Sequence, residues 1–164
     1  MKRAKKSAKS SKFFMGVFIL LLLALAGYAA IILMPVGDDF AKIDSVRVEG
    51  DSLILTNNCT ALIASTSQER LESIALGLQN KVDVRPTTHE NFVSVMNAFN
   101  ITLERVVIHR FEDDIFYSDS YFVQGDKILQ LDMRPSDAIA LAVRTKSPIY
   151  INKTILAEKG TKIC

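Results

Sequence analysis

Residues 127–150, KILQLDMRPSDAIALAVRTKSPIY, decide the fold. A strand over Lys127–Asp132 runs into Arg134-Pro135, where proline fits the first turn of a helix because its missing N–H costs nothing there. The helix predicted over Pro135–Thr145 is apolar nearly all round (Ala138, Ile139, Ala140, Leu141, Ala142, Val143), so it should be the most buried one. Ser147-Pro148 breaks it, and Ile149–Ile151 reads as a short strand.

Upstream the periodicity alternates between sheet and helix. Val46 and Val48 mark a first strand, the Gly50-Asp51 turn leads to Leu53–Thr56, and Ala61–Ser65 follows the Asn57-Asn58 turn. Leu71, Ile74, Ala75 and Leu78 are spaced for a helix over Ser67–Gln79. Phe92, Val95, Met96 and Phe99 predict a second over Pro86–Phe99. Leu103–Phe111, Ile115–Val123 and Lys127–Asp132 are joined by the short turns Asp113-Asp114 and Gly125-Asp126, hence antiparallel. Asn152 suits the N-cap of a final turn of helix through Glu158. Hairpins and helices in separate blocks predict an α+β fold with a mixed, largely antiparallel sheet and three main helices.

The 164 residues suffice for about one domain with an appendage. Apolar residues make up 49% and charged residues 23%, so the chain can bury a core. Six basic residues precede position 13, whereas residues 35–164 hold 14 basic against 18 acidic side chains, a formal −4. That balance excludes a broadly basic, nucleic-acid-coating surface.

Between Phe13 and Met34 lie 22 uncharged residues, long enough as a helix for the core of a bilayer. Basic residues before it and Asp38-Asp39 after it orient the span. The sequence therefore predicts a basic cytoplasmic tail (1–12), a transmembrane helix (13–34), a linker (35–42) and a domain outside the cytoplasm (43–164). A cleaved signal peptide is the alternative, with small residues at Ala24-Leu25-Ala26, but signal cores are shorter. Asn58, Asn100 and Asn152 each open a glycosylation triplet, which matters only outside the cytoplasm. Cys59 and Cys164 could pair, but nothing in their spacing demands it, and the sequence leaves their pairing open.

Two Arg-Pro dipeptides precede helices: Arg85-Pro86-Thr87-Thr88-His89-Glu90 and Arg134-Pro135-Ser136-Asp137. Each offers free helix N–H groups, a hydroxyl and a guanidinium, a combination suited to phosphate or carboxylate. The plainer reading is that Thr88, Glu90 and Asp137 cap their helices.

The stretch from Leu131 to Arg144, with Ser147-Pro148-Ile149-Tyr150, closely resembles the signature of the bifunctional nuclease family. Arg85-Pro86-Thr87-Thr88-His89-Glu90, Val106-Val107-Ile108-His109 and Ile115-Phe116-Tyr117-Ser118 extend the resemblance over about residues 43–160. It implies an α+β domain that hydrolyses DNA and RNA and self-associates as a homo-oligomer. One position departs: four residues before Ile74, where the family usually carries an acid, stands Arg70, with Glu69 beside it. The segment before residue 43 owes nothing to the resemblance.

Phosphodiester hydrolysis needs an activated water, charge stabilisation and help for the leaving oxygen. The candidate catalytic residues are Asp132, Asp137 and His89. Asp132 and Asp137, five positions apart across a strand-to-helix turn, are candidates to hold a divalent metal such as Mg²⁺. Arg85, Arg134, Ser136 and Arg144 are the candidate phosphate-binding residues. His109, within a strand, reads as structural. The chain has no HExxH, CxxC, GxSxG or P-loop pattern. The sequence thus predicts a membrane-anchored nuclease of low sequence preference. The acidic balance keeps an alternative: a non-catalytic tethered oligomer binding a small anion or a partner protein.

Overall fold

The computed structural model describes residues 13–20 and 36–164. Residues 13–20 are helical; the rest of the predicted span, 21–34, lies outside the described residues. No helix among the described residues is long and apolar enough to cross a membrane. Asp38–Cys164 forms its own compact unit.

Among the described residues nine strands make two sheets instead of the one expected. The first contains β1 (Phe40–Lys42), β5 (Thr102–Glu112), β6 (Ile115–Gln124), β7 (Lys127–Met133) and β8 (Ile149–Asn152), in the order β1-β8-β5-β6-β7. The second contains β2 (Ser45–Glu49), β3 (Ser52–Asn57), β4 (Thr60–Ser65) and β9 (Thr161–Lys162), all antiparallel. In the first sheet only the β5–β8 pair is parallel. The helices are α1 (Gln68–Leu78), α2 (Thr88–Ala98), α3 (Pro135–Thr145) and the short α4 (Lys153–Lys159).

The parallel pair follows from α3. The chain leaves the β7 edge, crosses β6 and β5 within α3, and returns as β8 on the far side of β5. A helix covered by a sheet on one side and by α1 and α2 on others must be apolar nearly all round. Ala138, Ile139, Ala140, Leu141 and Ala142 are accordingly buried. The expected burial of this helix is borne out.

Two boundaries differ from expectation. Phe40–Lys42, read as linker, pairs antiparallel with β8 through Phe40↔Asn152 and Lys42↔Tyr150. Helix α2 begins at Thr88 with Thr87 as N-cap, so Pro86 stands outside the helix and not in its first turn. In α3, by contrast, Arg134 is the N-cap and Pro135 opens the helix as expected. The two Arg-Pro starts are therefore not equivalent. Finally, Cys59 and Cys164 are disulfide-bonded, with Cα atoms 5.2 Å apart. The bond fixes β9 beside β4 and closes a long loop, which restricts the unfolded chain.

Helices α1 and α3 touch closely at Gly77. A Cβ there would stand 2.7 Å from Val143 Cγ2 and 2.8 Å from Arg144 Nη1. Gly77→Ala should therefore destabilise the domain by roughly 1–3 kcal/mol in denaturant unfolding, because overpacking outweighs the better helix propensity of alanine.

Candidate functional site

The N-termini of α2 and α3 meet at one cleft of about 460 Å³. Its wall includes Ser73 and Arg70 from α1, Thr87, Thr88 and His89 from the start of α2, and Arg134 and Asp137 from the start of α3. The two helix tips singled out in the sequence thus converge. His89 Nε2 lies 3.6 Å from Asp137 Oδ1, a charge-pair distance longer than a hydrogen bond. Arg134 Nε donates to Asp137 Oδ2 at 2.9 Å. With 67% of its side chain exposed, Arg134 remains open to a ligand.

Behind this layer lies a buried ion pair. Arg144 Nε donates to Glu90 Oε1 at 2.9 Å, and Arg144 Nη2 reaches the same oxygen. Arg144 Nη1 donates to the Ala140 carbonyl at 2.7 Å. The other carboxylate oxygen of Glu90 accepts from the Thr87 backbone N–H at 2.8 Å and from the Thr87 hydroxyl. Both side chains are nearly inaccessible, Arg144 at 8% and Glu90 at 9%. Arg144 is consequently a structural clamp between α2 and α3, which corrects its reading as a phosphate-binding residue. The cap partner of Glu90 is Thr87; the sequence reading had offered Thr88.

Ser73 joins the two layers. Its hydroxyl oxygen is 2.9 Å from His89 Nδ1 and 3.3 Å from Arg144 Nη2. A serine flanked by the buried Leu71 and Ile74 was the signal for this role. An apolar helix stripe interrupted by one hydroxyl invites the question of what that hydroxyl bonds.

The remaining candidates do not join the cleft. Asp132 pairs in register with Asp119, while Ser118 and Ser120 on either side of Asp119 are fully buried. Alternation along β6 and β7 puts Asp119 and Asp132 on the sheet face opposite α3. Asp132 is exposed there, alongside Asp119, whose carboxylate contacts His109 Nε2 at 3.5 Å. Asp132 and Asp137 therefore cannot share one metal ion. No group of three or more His, Cys, Asp or Glu side chains is placed to hold a metal among the described residues. Arg85 is exposed in the loop before α2, outside the cleft wall, because the helix starts two residues later than expected. Ser136 is half-buried and also absent from that wall.

Electrostatics separate the two layers. Burial alone would raise the Glu90 carboxyl, but hydrogen bonds from Thr87 and Arg144 overcome it and hold the group at about 2. Burial pushes His89 below its ordinary 6.5, and the Arg144 charge adds to that; Asp137 and Glu90 oppose without prevailing. His89 is thus neutral near pH 7. Glu69, Glu72 and Asp83 also line the cleft, so its acids outnumber Arg70 and Arg134.

Comparison with known proteins agrees with this architecture. Residues 53–163 match the family described as "Bifunctional nuclease domain". An uncharacterized protein of Mycobacterium tuberculosis is 33% identical over 96 residues, 58% of this chain and 57% of that protein. "Bifunctional nuclease 1" of Oryza sativa subsp. japonica is 30% identical over 82 residues, 48% of this chain and 25% of the plant protein. "Bifunctional nuclease 2" of Arabidopsis thaliana is 29% identical over the same length. The chain spans little more than half of the mycobacterial relative and a quarter of the plant ones.

Removing the Glu90 charge would strand a buried guanidinium. Glu90→Gln should cost roughly 3–5 kcal/mol in denaturant unfolding at pH 7. Because the folded carboxyl lies below its ordinary value of 4.5, its contribution is complete above that pH and is lost as the pH falls through about 2. The wild-type and E90Q stability curves should therefore converge at acid pH.

Proposed function

Because this chain belongs to the bifunctional nuclease domain family, we propose that it hydrolyses phosphodiester bonds of DNA and RNA with little sequence preference. The observation that carries this reading is the convergence of His89, Asp137, Arg134 and Arg70 on one cleft formed by two helix starts. His89 and Asp137 form the acid–base pair, with an imidazole and a carboxylate 3.6 Å apart. Arg134 and Arg70 balance the negative charge of a phosphoryl group entering between them. The acidic surplus of the cleft and the domain implies weak, sequence-indifferent binding through a few contacts.

The protein acts, in this reading, as a single-span membrane protein with its domain outside the cytoplasm. The uncharged run 13–34 and the basic tail before it support the anchor. The Cys59–Cys164 bond supports an oxidising compartment, since such bonds are rare in the cytosol. Family likeness and the exposed apolar side chains Val95 and Phe99 of α2 and its C-cap support self-association.

Purified full-length protein should degrade single-stranded DNA and RNA, and Asp137→Asn or His89→Gln should each lower kcat about 100-fold or more. Unchanged cleavage in both variants, or none in the wild type, would overturn the nuclease reading. Since burial favours neutral His89, the rate should hold as pH falls to 6.5 and decline only below it. Protease added to intact cells should digest the domain; protection would refute the outward orientation.

A further inference from the structure

Hydrogen bonding around Ser73 has a single consistent assignment among the described residues. Arg144 can only donate, so at 3.3 Å its Nη2 gives a proton to the Ser73 oxygen. The oxygen could accept from both partners, but the one hydrogen of the buried Ser73 has no other acceptor among the described residues, so it goes to His89 Nδ1 at 2.9 Å. Nδ1 is an acceptor in that arrangement and carries no proton. A neutral imidazole has one N–H, which falls on Nε2, the nitrogen that faces Asp137 Oδ1.

We propose that Ser73 is a positioning residue that holds His89 as the Nε2–H tautomer, so that the imidazole meets the substrate as a donor while Asp137 is left as the base. This deepens the nuclease reading above and rests on it for the two chemical roles. The attacking water gives its proton to the Asp137 carboxylate as its oxygen bonds to phosphorus, the phosphorus–oxygen bond to the departing sugar breaks, and the released sugar oxygen takes up the proton that Asp137 then holds. His89 Nε2–H hydrogen-bonds the phosphoryl oxygen on which charge develops. Without the serine hydroxyl only the Asp137 carboxylate, 3.6 Å away, still orders the ring nitrogens, and the Nδ1–H form, which presents a bare Nε2 lone pair toward that carboxylate, gains population. Ser73 reaches no ligand in this scheme. Its effect passes through the ring and is therefore expected in kcat and not in KM.

The test is ¹⁵N NMR of the imidazole nitrogens in the full-length protein in detergent micelles at pH 7. The chain has two histidines, and His109→Gln assigns the spectrum. The wild type should show a protonated Nε2 and a bare Nδ1 for His89; a protonated Nδ1 would overturn the proposal, whatever the activity. Ser73→Ala should mix the two forms and lower kcat about 10-fold at unchanged KM, and Ser73→Thr, which keeps the hydroxyl, should restore the single tautomer. A folded S73A protein with the wild-type tautomer would also overturn it. If the wild-type protein shows the expected tautomer but cleaves neither DNA nor RNA, the nuclease reading fails and the tautomer assignment stands.

Discussion

The ion pair between Arg144 and Glu90 holds the arrangement together. Two charges withdrawn from water are tolerable only when every proton and lone pair is met. Here the carboxylate is met by Thr87 and Arg144, and the guanidinium by Glu90, Ala140 and Ser73. Because Glu90 lies in the first turn of α2 and Arg144 in the last turn of α3, satisfying one pair fixes the relative placement of two helices. His89, beside Glu90, is thereby set opposite Asp137. The geometry of the cleft is in this sense a by-product of a buried charge that must be neutralised.

The cleft gains its character from the contrast between its two layers. Inside, an anchored carboxylate stays ionised far into acid. Outside, a histidine robbed of its solvation stays neutral near pH 7. A neutral ring beside a carboxylate can divide the labour of proton handling, which two ionised groups side by side would not. Arg134, bound to Asp137 through one nitrogen and largely open to water, completes the polar rim.

Much of the fold was legible because it follows period. Helix α3 could be bounded to the residue since an apolar run between Arg134-Pro135 and Ser147-Pro148 has one sensible interpretation. The hairpins of β5 to β7 were equally plain from their turns. Parity was the weak point for the site. Asp132 and Asp137 look adjacent along the chain, but a strand alternates faces, and only tertiary pairing with Asp119 reveals which face Asp132 takes. Arg85 was misplaced because proline suits both the first turn and the position before a cap. Arg144 reads in the sequence as a phosphate-binding residue; its partner, 54 positions earlier, could not be found by local reasoning. Residues 40–42 are too short a strand to announce themselves without β8.

The covalent link between Cys59 and Cys164 has one more consequence. It encloses α1, α2 and α3, and with them the exposed stretch of residues 80–86 between α1 and α2. A secreted peptidase meeting that stretch would nick the backbone without severing the molecule. Both pieces would stay joined through sulfur and through the hydrogen bonds that tie Ser73 to His89 and Arg144, so the clipped form would still carry every group of the cleft.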